Sequence, residues 1–306
     1  MQQRQLGRDG PSVPVIGFGA WPIGGGLGAV DDRDAIRTLH HAFEQGVTLV
    51  DTAEAYRTSE ELVGRALATW SGPRERIFVA TKVRGDDLSP RHIAEAAERS
   101  LRRLGVDTID LLQAHSWDPH HPIDRTMHAF ERLVASGKVR YVGVSNFDVP
   151  RMEAAWRARP FQTLQPRYNL LDSEVEAAIL PYCQQRGIGV LAHSPLAKGL
   201  LTGRYEPGHI FSADDERAQM ARFQGDEFSR LLAWTVPLSR WAEERGHALL
   251  ELAIAWVLSH PAVTVCLCGA KSPEQIDDHV RAASWHLSAD DRLDIDRILG
   301  RTGPAA

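Results

Sequence analysis

The feature that most constrains the fold is an alternation that runs the length of the chain. Short runs rich in β-branched residues stand at 15–20 (VIGFGA), 47–51 (VTLVD), 76–82 (RIFVATK) and 108–115 (TIDLLQAH), then at 139–146 (VRYVGVSN), 161–165 (FQTLQ), 188–194 (IGVLAHS) and 263–270 (VTVCLCGA). Between them lie stretches with helical spacing, at 31–45, 58–70, 89–104, 124–136, 149–157, 172–186 and 247–259, with 273–283 and 289–299 after the last run. Strands that alternate with helices argue for repeated βα units and a parallel sheet. The boundaries are marked locally: Ser89-Pro90 reads as a cap followed by proline at the first helical position, and Gly46, Gly105, Gly137 and Gly187 follow helix ends. Eight such units predict a closed (β/α)8 TIM barrel of one domain over 1–306, because an open doubly wound sheet usually has fewer strands. A long irregular insert over about 203–236 is expected to lie on the C-terminal face as a lid.

Composition narrows the function classes. The chain has 306 residues, 43% hydrophobic and 25% charged, which suffices for a large buried core. A net charge of −5 with interspersed signs gives no footprint for nucleic acid or an anionic membrane. No apolar leader and no run near the 18 or so residues of a membrane span is present, so a cytoplasmic protein is expected. Cys183, Cys266 and Cys268 cannot form a paired framework, and Cys266 and Cys268 fall on one face of a strand as packing residues. No metal site is expected, since no His-x-His closes a strand, and that absence counts against a metal-dependent barrel hydrolase.

In a parallel barrel the active site lies where the strands end. Asp51 closes the second run, Lys82 the third, His115 the fourth, Ser145-Asn146 the fifth, Gln165 the sixth and His193-Ser194 the seventh, with Tyr56 on the loop just after Asp51. A free phenol has a pKa of about 10, and a neighbouring ammonium lowers it, so Lys82 is expected to tune Tyr56 downward. Asp51 would keep Lys82 charged and in place, and His115 could donate a hydrogen bond to a substrate oxygen. Together these four make a proton donor facing a carbonyl. Ser272-Pro273 reads as an N-cap and first helical residue, so the helix that follows presents free N–H groups beside Lys271, an anion site.

The segments VTLVDTAEAY, IFVATKV, IDLLQAH, GKVRYVGVSNF, LQPRYNLL, LAHSPLAKGLLTGRY, FQGDEF and CGAKSPEQIDDH, taken in order over roughly 10–285, resemble the aldo-keto reductase superfamily. The resemblance implies a (β/α)8 barrel that reduces aldehydes and ketones reversibly with NADP(H), NAD being the alternative, and without metal. It assigns the catalytic tetrad to Asp51, Tyr56, Lys82 and His115, with Tyr56 as general acid. For the cofactor it implies Ala20 and Trp21, Ser145 and Asn146, Gln165, His193, Ser194, Leu196 and Gly199, and then Gly269, Lys271, Ser272, Gln275 and His279. Trp21 and Trp117 are expected to wall the substrate pocket, with Trp234 from the lid a further candidate.

Three positions depart from the family pattern. His193 replaces the usual tyrosine, His279 stands where asparagine is frequent, and Tyr56-Arg57-Thr58-Ser59-Glu60 is two residues shorter than the common loop and lacks its glycine. A shortened loop and an imidazole at 193 suit a second reading, a catalytically weak nicotinamide-binding regulatory or redox-sensing subunit. Gly24-Gly25-Gly26-Leu27-Gly28 lacks the spacing of a phosphate loop and reads as a flexible rim loop. The expected partner is a small carbonyl or alcohol substrate, the protein being a monomer or a homo-oligomer.

Overall fold

The computed structural model describes residues 1–301; the last five residues of the 1–306 span lie outside the described residues. A hairpin of β1 (Gln3–Gln5) and β2 (Ser12–Pro14) precedes the eight barrel strands β3 (Ile16–Gly19), β4 (Leu49–Asp51), β5 (Phe78–Val83), β6 (Ile109–Ala114), β7 (Val139–Ser145), β8 (Thr163–Gln165), β9 (Gly189–Ala192) and β10 (Val263–Cys268). Every barrel pairing is parallel, and β10 returns to β3 with Cys266 opposite Ile16 to close the ring. The helices are α1 (Asp32–Glu44), α2 (Ser59–Thr69), α3 (Pro90–Leu104), α4 (Ile123–Ala135), α5 (Val149–Ala158), α6 (Ile179–Arg186), α7 (Gly225–Glu243), α8 (Leu249–Ser259), α9 (Pro273–Ala282) and α10 (Ala289–Ile298). The expected eight-stranded barrel is present, with each expected strand inside its predicted run except β5, which continues one residue past it to Val83.

Two elements differ from expectation. The insert expected to be irregular carries the 19-residue α7, whose opening Gly225 and internal Pro237 mask its helical spacing. The expected helix over 172–186 is a 3-10 turn, Glu174–Glu176, followed by the shorter α6, because Pro181 restricts the backbone before it and suits only the first turn of a helix.

Side-chain alternation along the strands sorts the core into two layers. Val50, Val79, Leu112, Val190 and Cys266 face the helices and form the large outer core. Leu49, Ala80, Leu111, Leu191, Val265 and Leu267 fill the barrel interior, joined from below by Leu6 and Val13 of the hairpin region. Arg4 fastens the hairpin by donating to the carbonyls of Val263, at 2.5 Å, and Leu258, at 2.9 Å. Cys266 and Cys268 lie buried on one face with their sulfurs 3.7 Å apart, as the strand period requires. Among the described residues no helix is long and apolar enough to cross a membrane.

Candidate functional site

The same two-residue period that places Leu49, Ala80 and Leu111 inside the barrel places Asp51, Lys82 and Gln113 one layer higher, at the C-terminal mouth. All three are buried. Lys82 Nζ donates to Asp51 Oδ1 at 2.5 Å and to the Thr52 carbonyl at 2.9 Å, and lies 3.2 Å from Tyr56 Oη. Burial works against the charge on Lys82, but Asp51 and then Tyr56 outweigh it and its pKa is raised, so the ammonium is held as expected.

Tyr56 departs from expectation in direction. Burial of the phenol is the largest influence and raises its pKa; Lys82 pulls it down and Asp51 pushes it up, leaving it above its ordinary value. The ammonium offsets desolvation without overcoming it, because Asp51 neutralises much of its field. The phenol therefore carries its proton at neutral pH.

The shortened loop still delivers Tyr56 to Lys82. Arg57 adopts φ of 51°, the left-handed conformation a glycine would take, and its guanidinium donates to the Gly25 carbonyl at 2.7 Å. The Tyr56 ring meets Trp21 edge-on at 4.8 Å and His115 at 5.4 Å. The glycine-rich segment is packed as well as flexible in sequence: a Cβ on Gly24 would lie 2.3 Å from the Tyr56 carbonyl, and one on Gly26 would lie 2.2 Å from the Trp21 ring.

His115 and His193 are half-buried and their pKa values are pushed down to about 3, by burial first and then by Lys82. Both are neutral at physiological pH. His193 bridges Ser194 Oγ and Asn146 Oδ1, each at 3.0 Å, so imidazole occupies the expected position as a hydrogen-bonded, uncharged ring. Asn146 and Ser194 sit at φ of 58° and 57°, and Asn146 Nδ2 donates to the His115 carbonyl at 3.1 Å. Ser145 Oγ donates to the Gln165 carbonyl at 2.8 Å, while Gln165 Nε2 donates to Asp51 Oδ2 at 2.8 Å.

Trp21, Asp51, Tyr56, His115, Ser145, Asn146, Gln165, His193 and Ser194 line one cleft of about 570 Å³ that also includes Leu196, Gly199, Gly269, Lys271, Gln275 and His279. At its far end Gln275 Oε1 accepts from the Lys271 backbone, and Lys271 Nζ donates to the Leu27 carbonyl. His279 is buried, its pKa is lowered to about 4 by burial, and its Nδ1 has no hydrogen-bond partner among the described residues. Ala20, Lys82, Ser272 and Trp117 lie outside the lining, Lys82 because it is buried beneath it against Asp51 and Tyr56. The Ala20 N–H and carbonyl are taken by Asp51 and Ser59, Ser272 is set back as the N-cap of α9, and Trp117 packs edge-on against Phe147 at 5.3 Å. Trp234 is also off the cleft and packs against the outer core.

The insert supplies residues that were not predicted. Its segment 214–216 crosses to the loop after β3: Asp215 pairs with Leu27 as a β-bridge, Asp214 Oδ2 accepts from the Ala29 N–H at 2.9 Å, and Glu216 Oε1 accepts from Trp21 Nε1 at 2.9 Å and from Lys198. Arg217 reaches the cleft while bound to Asp215, with Nη2 2.6 Å from Oδ2, and to Tyr205 Oη at 2.7 Å. Arg167, Lys198 and Arg204 also line the cleft. Their signal in the sequence is only cationic residues in an insert and after strand ends. Asp87, Asp118 and His121 come together away from the cleft, but Asp118 already accepts from the Leu88 and His120 N–H groups and faces His121, so its oxygens are satisfied within the protein.

The chain matches the family model described as "Aldo/keto reductase family" over residues 15–299. It is 36% identical over 314 residues to "Aldo-keto reductase YhdN" of Bacillus subtilis (strain 168), covering 99% of this chain and 95% of that one. Among solved structures it resembles the glycerol dehydrogenase AKR11B4 from Gluconobacter oxydans, with a TM-score of 0.87, 36% identity and coverage of 99% and 96% of the two chains. It also resembles an aldo/keto reductase from Klebsiella pneumoniae in complex with NADP and acetate, with a TM-score of 0.79, 30% identity and coverage of 100% and 98%. With a protonated phenol against a buried Lys–Asp pair at the mouth of an eight-stranded barrel, this protein belongs to the aldo/keto reductase family of oxidoreductases.

Proposed function

We propose that the protein reduces aldehydes or ketones to alcohols, reversibly, with NADPH as reductant and Tyr56 as proton donor. The observation that carries this reading is the 3.2 Å contact of Tyr56 Oη with Lys82 Nζ, which is itself held by Asp51, at the floor of a cleft. When bound, NADPH supplies the hydride. The chain's own residues do the rest. Tyr56 holds a proton at its Oη and lies beside the neutral imidazole of His115, which can orient a carbonyl oxygen without competing for charge. Lys82 stabilises the phenolate left after transfer, and Asp51 keeps the ammonium from wandering.

A dinucleotide fits the cleft on three observations. Among the described residues the buried Nδ1 of His279 lacks a partner at the far end, Lys271 directly precedes the N-cap of α9, and Arg204 and Arg217 add cationic groups along the way. The N-terminus of α9 with Lys271 suits the 2′-phosphate of NADPH, and the Klebsiella relative in complex with NADP supports the same choice. Ser145, Asn146 and Gln165 would hold the nicotinamide end and His193 would lie against it.

Tyr56→Phe tests the assignment: turnover of a panel of aldehydes should fall at least about a hundredfold, the range of general-acid contributions, while NADPH still quenches tryptophan fluorescence. Undiminished turnover would sink it. In the native protein, quenching with no consumption of NADPH by any aldehyde would instead favour the regulatory subunit.

A further inference from the structure

Gln113 is buried completely near the end of β6, whose one other polar residue is Asp110 at its start; it stands two residues before His115 and on the same inward face. A buried carboxamide is retained only where its hydrogen bonds are met. Its Nε2 donates to Asp51 Oδ2 at 3.1 Å, and Gln165 Nε2 donates to the same oxygen at 2.8 Å. The other carboxylate oxygen, Oδ1, takes Lys82. A carboxylate only accepts, so both amides must turn their nitrogens toward Asp51. The Gln113 oxygen then faces the Gln165 nitrogen, 3.4 Å away, and the Gln165 oxygen is left for the cleft. Room for this arrangement comes from β7, where Gly143 runs so close that a Cβ there would be 3.0 Å from Gln113 Cγ.

We infer that Gln113 is a positioning residue that clamps Asp51, and through it Lys82 and Tyr56, while fixing which way the Gln165 amide faces. The inference rests on the reductase reading of the site. With Gln113 gone, Asp51 keeps one amide donor, free to turn, and Lys82 is held by a carboxylate that can rotate. The groups facing this cluster are Lys82 from β5, Tyr56 from the loop after β4, and the neutral rings of His115 and His193; none of these can replace the amide.

Gln113→Met keeps the length and removes the donor. Turnover should fall about tenfold, as for the loss of a hydrogen bond to a charged group, with the NADPH dissociation constant from fluorescence quenching within about threefold of the wild type. The kcat profile with pH should change as well, because Lys82 is then held by a carboxylate free to rotate. Gln113→Glu supplies a control of the same shape: its activity should recover at acidic pH, where the protonated carboxyl donates to Asp51 as the amide does, and fall at neutral pH, where two carboxylates face each other. Wild-type turnover and pH profile in Gln113→Met, or Gln113→Glu following Gln113→Met at every pH, would overturn the inference. If Gln113→Met fails to bind NADPH or to melt cooperatively, the pH response of Gln113→Glu decides alone. Tyr56→Phe assayed alongside separates the two levels: active Tyr56→Phe removes the reductase reading itself, whereas inactive Tyr56→Phe with silent Gln113 variants removes only the role of Gln113.

Discussion

Arg57 shows how a departure from a family pattern can be absorbed at one residue. The left-handed region costs a residue with a side chain about 1–2 kcal/mol, and Arg57 offsets part of that through its bond to the Gly25 carbonyl. Arg57→Gly exchanges one gain for the other and should change stability by no more than about 1 kcal/mol. Arg57→Val meets the strain with a β-branched side chain and no hydrogen bond, and should cost about 2 kcal/mol and lower kcat; thermal melting and turnover of the two variants check this. At this scale the sequence was readable where a polar residue ended an apolar run: Asp51, Lys82, His115 and Gln165 all meet in the mouth. Gln113 carried the same signal, a polar residue in phase with His115, but two residues earlier, inside the run. The direction of the Tyr56 shift was not readable, because it depends on the balance between burial and a Lys–Asp pair whose charges largely cancel.

Among elements, the strands were legible because each has its own apolar run and turn signals, whereas the three-residue strands of the hairpin are too short to show a period. Helix α7 was hidden by its glycine and proline, and the crossing of residues 214–216 to the loop after β3 is a long-range contact with no local signature. That crossing forms a strap beside the cleft, tied by Glu216 to Trp21 and Lys198 of its wall. Glu216→Ala removes this tie, worth about 1 kcal/mol, and should speed NADPH release roughly fivefold. Stopped-flow fluorescence gives the rate, and an unchanged value would show that the strap does not restrain the cofactor.

For the whole molecule, three desolvated histidines set an acid limit. His115 and His193, at about 3, and His279, at about 4, are neutral in the native state, while in the unfolded chain they titrate near 6.5. Above pH 6.5 both states are neutral and these groups leave stability flat. As pH falls below 6.5 the unfolded chain takes up protons the native state refuses, so stability declines until pH nears the native values, by up to about 1.4 kcal/mol per pH unit for each ring. His279→Asn removes one such group, and between pH 6.5 and 5 it should lose about 1.5 kcal/mol less than the wild type in urea denaturation of the ligand-free protein. The hairpin beneath the barrel carries a consequence of another kind, in time rather than energy. Arg4 grips the carbonyl of Val263, 259 residues away, and β3 finds its second neighbour only in β10. Strand β3 thus cannot gain its second neighbour until β10 has been made, so ring closure is a late event that no fragment lacking β10 can complete.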